Sequence, residues 1–400
     1  MGEQFTDLAG GAIGDLFGGI KGTLIGKGIN AGVHKMIDIF MSNTGKKGFI
    51  VAEVQDGEAL QMPAGSHDVL FSFGGVLDRA IERNIPVNPN LTTTVNIAPG
   101  EVKLCKYSYQ DLGTLGGGSA YATSINSSGQ VVGGSYTSTG SYHAFLWAPS
   151  SGMQDLGTLG AYSIAYGINA SGQVVGVTEI ANGSYHPFLK NLGQPMEDLG
   201  ILGTAFAIND SGQVVGEAAS GAFTGAFLKN PGQPIQDLET GWGSRPYSIN
   251  ASGQVVGITH TGSGQAFLKS PGQSVENLGA MGGDTSTAFA INDSGQIVGS
   301  AHFPFDNSHA FLKNPGYPMQ DLGDHSVVYG INASGQVVGF TNATAAAFLW
   351  TRSEGWKNLN ALTIDLPQGV FLAQANAIND AGQVVGVTSN NSAFLLTPIP

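Results

Sequence analysis

The sequence predicts an all-β protein whose main domain, residues 107–400, is a seven-bladed β-propeller of four-stranded blades. A nine-residue motif, typified by INASGQVVG, occurs seven times, and its first asparagine recurs at intervals of 43, 40, 41, 42, 40 and 47 residues. A period near 42 residues is typical of propeller blades. Between the motifs, short apolar and β-branched segments alternate with Gly, Pro, Asn and Ser, as expected for strands joined by turns.

The nine-residue motif itself predicts a tight hairpin turn. Ile precedes the turn and Val-Val follows it, so these residues would supply the paired strands. The glycine that ends the turn is expected in the left-handed conformation, which a Cβ atom would penalise. These glycines are Gly129, Gly172, Gly212, Gly253, Gly295, Gly335 and Gly382.

Two further motifs complete each blade. An AFL segment (PFL at 187–189) and a DLG segment or a relative of it each occur seven times, giving four strands per blade. A DLG segment precedes the first nonapeptide, and the chain stops after the seventh AFL. We therefore predict that residues 107–113 pair beside 393–397, which closes the ring and removes the exposed sheet edges.

The same motifs resemble a known family. The segments HAFLW (143–147), MQDLGTLG (153–160) and INASGQVVG are similar to those of the HAF-type extracellular repeat family, and the resemblance covers 107–400. The triplet HAF itself is kept at 143–145 and 309–311. The resemblance implies a seven-bladed propeller in an extracellular or surface setting, and it implies no particular reaction.

Composition and charge exclude several classes of function. The formal net charge is −13, and residues 107–400 hold seven Lys and Arg against eighteen Asp and Glu. An acidic surface repels phosphate backbones, so nucleic acid is not an expected partner. The single cysteine, Cys105, allows no intrachain disulfide, and the N-terminus shows no secretory signal pattern.

Residues present in every blade are predicted to be structural, and function is expected where the blades differ. With the tight turns on one face, the connections between strands two and three and between blades share the opposite face. Aromatic rings there suit sugars or peptides; capping of the core is the alternative role. The predicted ligand-binding residues, centred on blades four and five, are Trp242, Arg245, Tyr247, Phe303, Phe305, Asp306, His309, His260 and His302.

For the other aromatic and histidine residues of these connections, the sequence leaves a choice between ligand binding and packing. Tyr142 and Tyr185 share the aromatic chemistry of the predicted site. His143, His186 and His309 occupy one repeat position, which favours packing over metal binding. No metal and no cofactor is expected, because no carboxylate or thiolate lies at ligand spacing from these histidines.

The N-terminal 106 residues follow a different pattern. Glycine recurs every fourth residue, which on a helix would form a smooth stripe for close packing. Residues 1–44 are thus predicted to be a helical anchor or oligomerisation segment, acting through residues 10–41. Helix packing, membrane insertion and a mobile segment stay open, since Asp15, Lys21 and Lys27 interrupt the apolar residues. The glycines of the stripe are Gly10, Gly14, Gly18, Gly22 and Gly26.

Residues 45–106 are predicted to form a small β-rich domain, with short strands around a helix at 76–84. The three domains together suggest a non-enzymatic recognition or attachment protein on a virion, phage or cell surface. Its partner would be a cell-surface glycan or protein receptor. The alternatives are a secreted propeller enzyme acting on glycans and a structural shell component. Catalysis has little support in 107–400, which holds two arginines, no cysteine and no GxSxG motif.

Overall fold

The structure, a computed structural model, describes seven strands between Lys21 and Asn96, and then residues 106–399 except 220–223, 261, 303–307, 325 and 342–344. Chain contacts divide it into two units, one of residues 1–107, 361–364 and 399–400 and one of residues 108–360 and 365–398. The predicted division at residues 44 and 106 stays a prediction.

The first unit contains two sheets. Strands β1, β4 and β7 form one in the order β4-β1-β7, and β2, β3, β5 and β6 form the other in the order β3-β2-β5-β6. Their bounds are β1 Lys21–Lys27, β2 Lys35–Phe40, β3 Phe49–Val54, β4 Ala59–Pro63, β5 Gly65–Phe73, β6 Asp78–Val87 and β7 Thr92–Asn96.

Strands occupy three stretches of this unit where the sequence pattern predicted helix. β1 and β2 lie within the predicted anchor helix, and β6 overlaps the helix predicted at 76–84. Each of these segments pairs with a neighbouring strand, β6 with β5 for example, and the helix indicated by the glycine spacing stays a prediction. Gly10, Gly14 and Gly18 lie outside the described residues, and Gly22 and Gly26 lie in β1. Within the part of the chain that is described, no helix has the length and hydropathy needed to cross a membrane.

The second unit is the predicted propeller of seven blades. Each blade is an antiparallel sheet whose strands run outward in chain order, and the first strand of every blade neighbours the first strands of the adjacent blades. Blade one is β9–β12, and its strands are Gly116–Ile125, Val131–Thr137, Tyr142–Ala148 and Gly152–Gly157. Blade two is β13–β16, with Ser163–Ile168, Val174–Glu179, Tyr185–Lys190 and Met196–Asp198. Blade three is β17–β20, with Gly203–Ile208, Val214–Ala218, Gly225–Lys229 and Ile235–Asp237.

The remaining blades repeat this plan. Blade four is β21–β24, with Arg245–Ile249, Val255–Thr259, Gln265–Lys269 and Val275–Gly279. Blade five is β25–β28, with Ser286–Ile291, Ile297–His302, Ser308–Lys313 and Met319–Asp324. Blade six is β29–β32, with Ser326–Ile331, Val337–Thr341, Ala346–Thr351 and Gly355–Asn358. A short helix, Leu359–Leu362, and a two-residue strand, β33 Thr363–Ile364, follow it.

Blade seven confirms the predicted closure of the ring. It combines β34 Leu372–Ile378, β35 Val384–Thr388 and β36 Ala393–Pro398 with β8, Tyr107–Asp111, in the order β8-β36-β35-β34. The amide of Leu112 donates to the carbonyl of Ala393 at 3.0 Å, and Ser108 Oγ lies 3.3 Å from the carbonyl of Thr397. The first and last strands of the propeller therefore share one sheet.

The nonapeptide forms the same turn in all seven blades. In blade two, for example, Ile168 pairs with Val174, and the amide of Gly172 donates to the carbonyl of Asn169 at 3.0 Å. The seven turn glycines have φ between +74° and +78°, the left-handed region predicted for them.

The motif asparagines also link the blades to each other. Each is buried, and its Nδ2 donates both to the Gln Oε1 four residues on and to the backbone carbonyl of the asparagine in the next blade. The chain of bonds is complete, because Asn379 of blade seven donates to the carbonyl of Asn126 in blade one at 3.0 Å. The circle runs through Asn126, Asn169, Asn209, Asn250, Asn292, Asn332 and Asn379 at distances of 2.9 to 3.2 Å.

The residue after each motif asparagine follows an alternating pattern. Ala170, Ala251 and Ala333 occupy blades two, four and six, and Asp occupies blades three, five and seven. Each Asp accepts a hydrogen bond at 2.8 Å from the backbone amide of the alanine in the preceding blade; the acceptors are Asp210, Asp293 and Asp380. Blade one has Ser127 at this position, so the propeller consists of three Ala–Asp blade pairs and one unpaired blade.

Candidate functional site

The propeller unit has two faces of different composition. We call the face with the nonapeptide turns and the strand three to four loops the turn face, and the opposite face the loop face. On the turn face of blade two, Gln173 Nε2 donates to Asn191 Oδ1 at 2.7 Å. On its loop face, the amide of Glu179 donates to the carbonyl of Tyr162 at 2.8 Å, which joins the strand two to three connection to the inter-blade connection.

Exposed apolar side chains concentrate on the loop face. Of the eight large apolar or aromatic side chains that are most exposed among the described residues, six lie there, and Leu192 and Tyr317 lie on the turn face. The six are Tyr136, Leu159, Tyr185, Leu202, Trp242 and Phe371. A concentration of exposed apolar side chains on one face favours an interaction surface there.

Trp242 is the most exposed of these side chains, at 75 %. It lies between Gly241 and Gly243, whose φ angles of +93° and +70° let the chain turn sharply on either side of the indole. The base of the loop is buried, because Ser244 Oγ donates to the carbonyl of Thr240 at 2.8 Å or of Gly241 at 2.9 Å. The loop thus holds a large aromatic ring in solvent on a fixed base.

The neighbouring blades leave room for this loop. A methyl group at Gly225 would lie 2.6 Å from the carbonyl oxygen of Gly241, and the same repeat position in other blades carries His143, His186 or Gln265. On the other side, a methyl group at Gly243 would lie 3.5 Å from Cβ of His260, an exposed residue. The structure therefore brings the predicted residues Trp242 and His260 to one place on the loop face.

Arg245, also a predicted ligand residue, binds two side chains of the propeller itself. Its Nη2 donates to Glu217 Oε1 at 3.2 Å, its Nε donates to Glu217 Oε2, and its guanidinium lies 5.7 Å from the ring centroid of Phe206. The bond to Glu217 raises the pKa of Arg245. The sequence reasoning missed Glu217, although it is the only charged residue at its repeat position in the seven VVGx segments.

Tyr247 lies in an arc of aromatic rings on the first strands of five consecutive blades. Its ring centroid lies 5.8 Å from that of Phe206 and 5.3 Å from that of Phe289. Tyr166 and Tyr329 extend the arc at 5.6 and 5.7 Å. Tyr247 therefore packs between blades, and its predicted role in ligand binding stays a prediction.

The remaining predicted residues lie at different places in the structure or outside its described part. His309 lies with its Nδ1 3.1 Å from Asp321, as His143 does at 2.9 Å from Asp155 and His186 at 2.8 Å from Asp198. Blade four has the neutral pair Asn277 and Gln265 at this position, so the pair is part of the scaffold. His302 is exposed at the end of β26, and its amide donates to the carbonyl of Thr285 at 3.0 Å. Phe303, Phe305 and Asp306 lie outside the described residues.

The loop face carries little positive charge. Four lysines at the ends of third strands donate Nζ to carbonyls of turn-face loops; these are Lys190, Lys229, Lys269 and Lys313. Arg245, at the loop-face end of a first strand, is paired with Glu217, which neutralises it. No group of three or more His, Cys, Asp or Glu that could hold a metal occurs in the described part of the chain.

The strand pairing defines the class of protein, a seven-bladed β-propeller. No protein-family model matches the chain, and no curated protein matches its sequence. Among solved structures, it is similar to TolB from Acinetobacter baumannii, with 11 % identity over 84 % of this chain and 77 % of the other and a TM-score of 0.41. A lectin from Burkholderia pseudomallei has 9 % identity over 73 % and 94 % and a TM-score of 0.41.

A puromycin-hydrolysing peptidase from Mycobacterium tuberculosis is similar over 71 % of this chain and 52 % of the other, with 11 % identity and a TM-score of 0.44. Likenesses at this level of identity reach no further than the fold. The assignment of the candidate site therefore rests on the residues of this chain alone.

Proposed function

We propose that this protein is a non-enzymatic recognition or attachment protein whose loop face binds an extracellular glycan or protein ligand. The observation that supports it is the Trp242 loop. Its buried base and two left-handed glycines hold an indole in solvent, where the ring has no role in the core. Tryptophan is enriched among the residues that dominate binding energy at interfaces.

The setting of this function is proposed from the sequence. The resemblance to the HAF-type repeats implies an extracellular or surface location. The glycine-rich segment, residues 10–41, is proposed to anchor the protein to a particle or surface, or to self-associate. A virion or phage spike would combine a surface location with such an anchor.

Scaffold roles for the histidines favour binding over catalysis. His143, His186 and His309 are the histidines that pair with a carboxylate, and blade four replaces that pair by two amides. A pair that the fold exchanges for neutral groups serves the blade rather than a reaction.

The proposal predicts the effect of removing the Trp242 indole. The full-length chain is first screened on a glycan array and against candidate receptor proteins, and the affinity for the best binder is then measured by calorimetry. Trp242→Ala should weaken that affinity by about 30-fold, which corresponds to roughly 2 kcal/mol. The melting temperature should stay unchanged, because the indole is exposed.

Tyr317→Ala provides the matched control. Tyr317 is an aromatic residue of similar exposure, 69 %, on the turn face. Its removal should leave the affinity unchanged. Equal losses in the two variants, or full affinity of Trp242→Ala, would show that the loop face near blade four is not the binding site.

A further inference from the structure

Four tyrosines form a continuous surface on the loop face of blades one and two. We call this surface, Tyr136, Tyr142, Tyr162 and Tyr185, the tyrosine platform. Their ring centroids lie 4.9 Å apart between Tyr136 and Tyr142, 5.6 Å between Tyr142 and Tyr162, and 5.8 Å between Tyr162 and Tyr185. The two outer rings, Tyr136 and Tyr185, are about half exposed, at 44 % and 50 %.

A glycine that occurs at its repeat position only in blade one leaves the space that the Tyr142 ring of the platform occupies. Tyr142 lies against Gly134, where a methyl group would come within 2.3 Å of the tyrosine Cε1. The same repeat position in blades two and seven carries Val177 and Val387, both buried. Only a residue without a side chain lets the ring lie on the strand there. A backbone bridge between Tyr142 and Tyr162 then joins the rings of the two blades.

The platform offers hydroxyl groups to a ligand. The phenol of the nearby Tyr121 bonds Asn376 and Gln374, whereas none of the four platform phenols hydrogen-bonds another described residue. Burial raises the pKa of Tyr142, and it raises the pKa of Tyr162 to about 12. Both phenols therefore stay neutral at physiological pH and can donate as well as accept hydrogen bonds.

The charge around the platform selects the class of ligand. Glu179 pairs across the strands with Tyr185, and the loop-face connections of blades one and two, residues 136–143, 157–163 and 179–186, contain no lysine or arginine. A carboxylate can accept hydrogen bonds from sugar hydroxyls, and it repels an anionic ligand. Neutral ligands are favoured over sialylated or phosphorylated ones.

The spacing of the rings argues against a proline-rich peptide. A prolyl ring between two aromatic faces needs about 7 Å, which is two carbon contacts of about 3.5 Å each. The platform rings are 4.9 to 5.8 Å apart and leave no such gap. They form a surface on which a flat apolar face can lie, and pyranose sugars present such a face with hydroxyls at its edge.

We infer that the tyrosine platform is a binding site for neutral saccharide units. The sugar ring lies on the exposed aromatic surface, the phenols bond its hydroxyls, and Glu179 accepts from one of them. This inference rests on the proposed binding role of the loop face, but not on Trp242, which lies in the connection to blade four.

Gly134→Val tests the inference, because valine is the native residue at this position in blade two and should displace the Tyr142 ring without harming the strand. The full-length chain is titrated, by saturation-transfer NMR and calorimetry, with methyl glycosides of galactose, glucose and mannose, chitotriose, sialyllactose and a proline decapeptide. Unmodified protein should bind a neutral sugar. Gly134→Val should lose at least 10-fold in affinity for it, and Tyr317→Ala, which changes an exposed ring of the turn face, less than 2-fold.

Two further variants keep the test decisive. Gly118→Val makes the same change on blade one at a glycine with no atom near its missing Cβ, and it should bind normally. If Gly134→Val fails to fold, the Tyr136→Phe and Tyr185→Phe variants keep the rings but lose a hydroxyl, and each should lose 2- to 5-fold. Full sugar affinity in Gly134→Val, binding of the peptide alone, or no sugar binding at all would overturn the inference. Loss of all sugar binding in Trp242→Ala would instead place the sugar at the Trp242 loop.

Discussion

At the scale of single residues, the motif asparagines do more than form turns. Each side chain accepts at Oδ1 from the amide of the glutamine four residues on, and donates at Nδ2 to that glutamine and to the next blade. Every polar atom of the asparagine amide is thus used, and each is buried. A change of one atom at this position therefore affects two blades.

Asn250→Asp should destabilise the propeller strongly. Asn250 is 3 % exposed, and a carboxylate there would face Gln254 Oε1 and the carbonyl of Asn292 without a hydrogen to donate. We expect a loss of about 3 kcal/mol in the free energy of unfolding. Urea unfolding followed by circular dichroism measures it.

The exposed Asn182 offers a matched control for this change. Its Oδ1 accepts from the amide of Ser184 at 2.9 Å, and an aspartate can do the same, so Asn182→Asp should leave stability unchanged. Equal unfolding curves for Asn250→Asp and the unmodified chain would contradict the structural role of the asparagine circle.

At the scale of the strand, the glycine after Val-Val makes room for two neighbours. A methyl group at Gly216 would lie 2.1 Å from the carbonyl oxygen of Thr204 and 2.6 Å from the ring of Phe227. The same contacts recur in every blade, and all seven phenylalanines of the AFL segments are fully buried. In blade three the first strand shifts its register between Ala205 and Ala207, opposite this glycine. The missing side chain leaves space there for both the shifted strand and the buried phenylalanine ring.

Gly216→Ala should therefore cost about 3 kcal/mol of unfolding free energy, because a backbone oxygen cannot move away as a flexible side chain can. Thermal and urea unfolding of the variant measure the loss. Gly118→Ala is the control, since it adds a methyl group to a strand where nothing lies within 4 Å. Similar stabilities of the two variants would show that the glycine is replaceable.

These two residue types show what the sequence could and could not predict. The turn glycines, the number of blades and the closure by residues 107–113 were predicted correctly. Turn chemistry acts between neighbours in the chain, and the order of the repeated motifs leaves one spare strand in the first repeat and one missing strand in the last. The circle of asparagines and the pairing of Arg245 with Glu217 join different blades, and their geometry depends on how blades stack. Tyr142 and Tyr185 were singled out individually, but their contact through Tyr162 required the structure.

At the scale of the whole molecule, buried tyrosines link stability to alkaline pH. Burial is the largest effect on the pKa of six phenols. It raises the pKa of Tyr109, Tyr162 and Tyr329 to about 12, and it also raises that of Tyr121, Tyr142 and Tyr166. In the unfolded chain, phenols lose their protons near pH 10. The unfolded state then binds fewer protons than the folded state, so stability falls as pH rises.

We therefore expect the contribution of these phenols to the free energy of unfolding to be constant below about pH 9. Between about pH 10 and 12, the free energy of unfolding should fall steadily as the phenols of the unfolded chain lose their protons. Urea unfolding at successive pH values, with tyrosinate absorbance recorded in parallel, measures both quantities. A double Tyr162→Phe, Tyr329→Phe variant should show a shallower fall. An equally steep fall in the double variant and in the unmodified chain would contradict the expectation.

The alternation of Ala and Asp after the motif asparagines bears on how such a ring can change in length. Two kinds of blade cannot alternate around an odd number without a seam, and the seam lies at blade one, beside the strand that closes the ring. Loss of one of blades three to six would bring two aspartates or two alanines together. Gain or loss of two blades would preserve every Ala–Asp contact, so parity, and not only blade count, limits the lengths that this repeat can adopt.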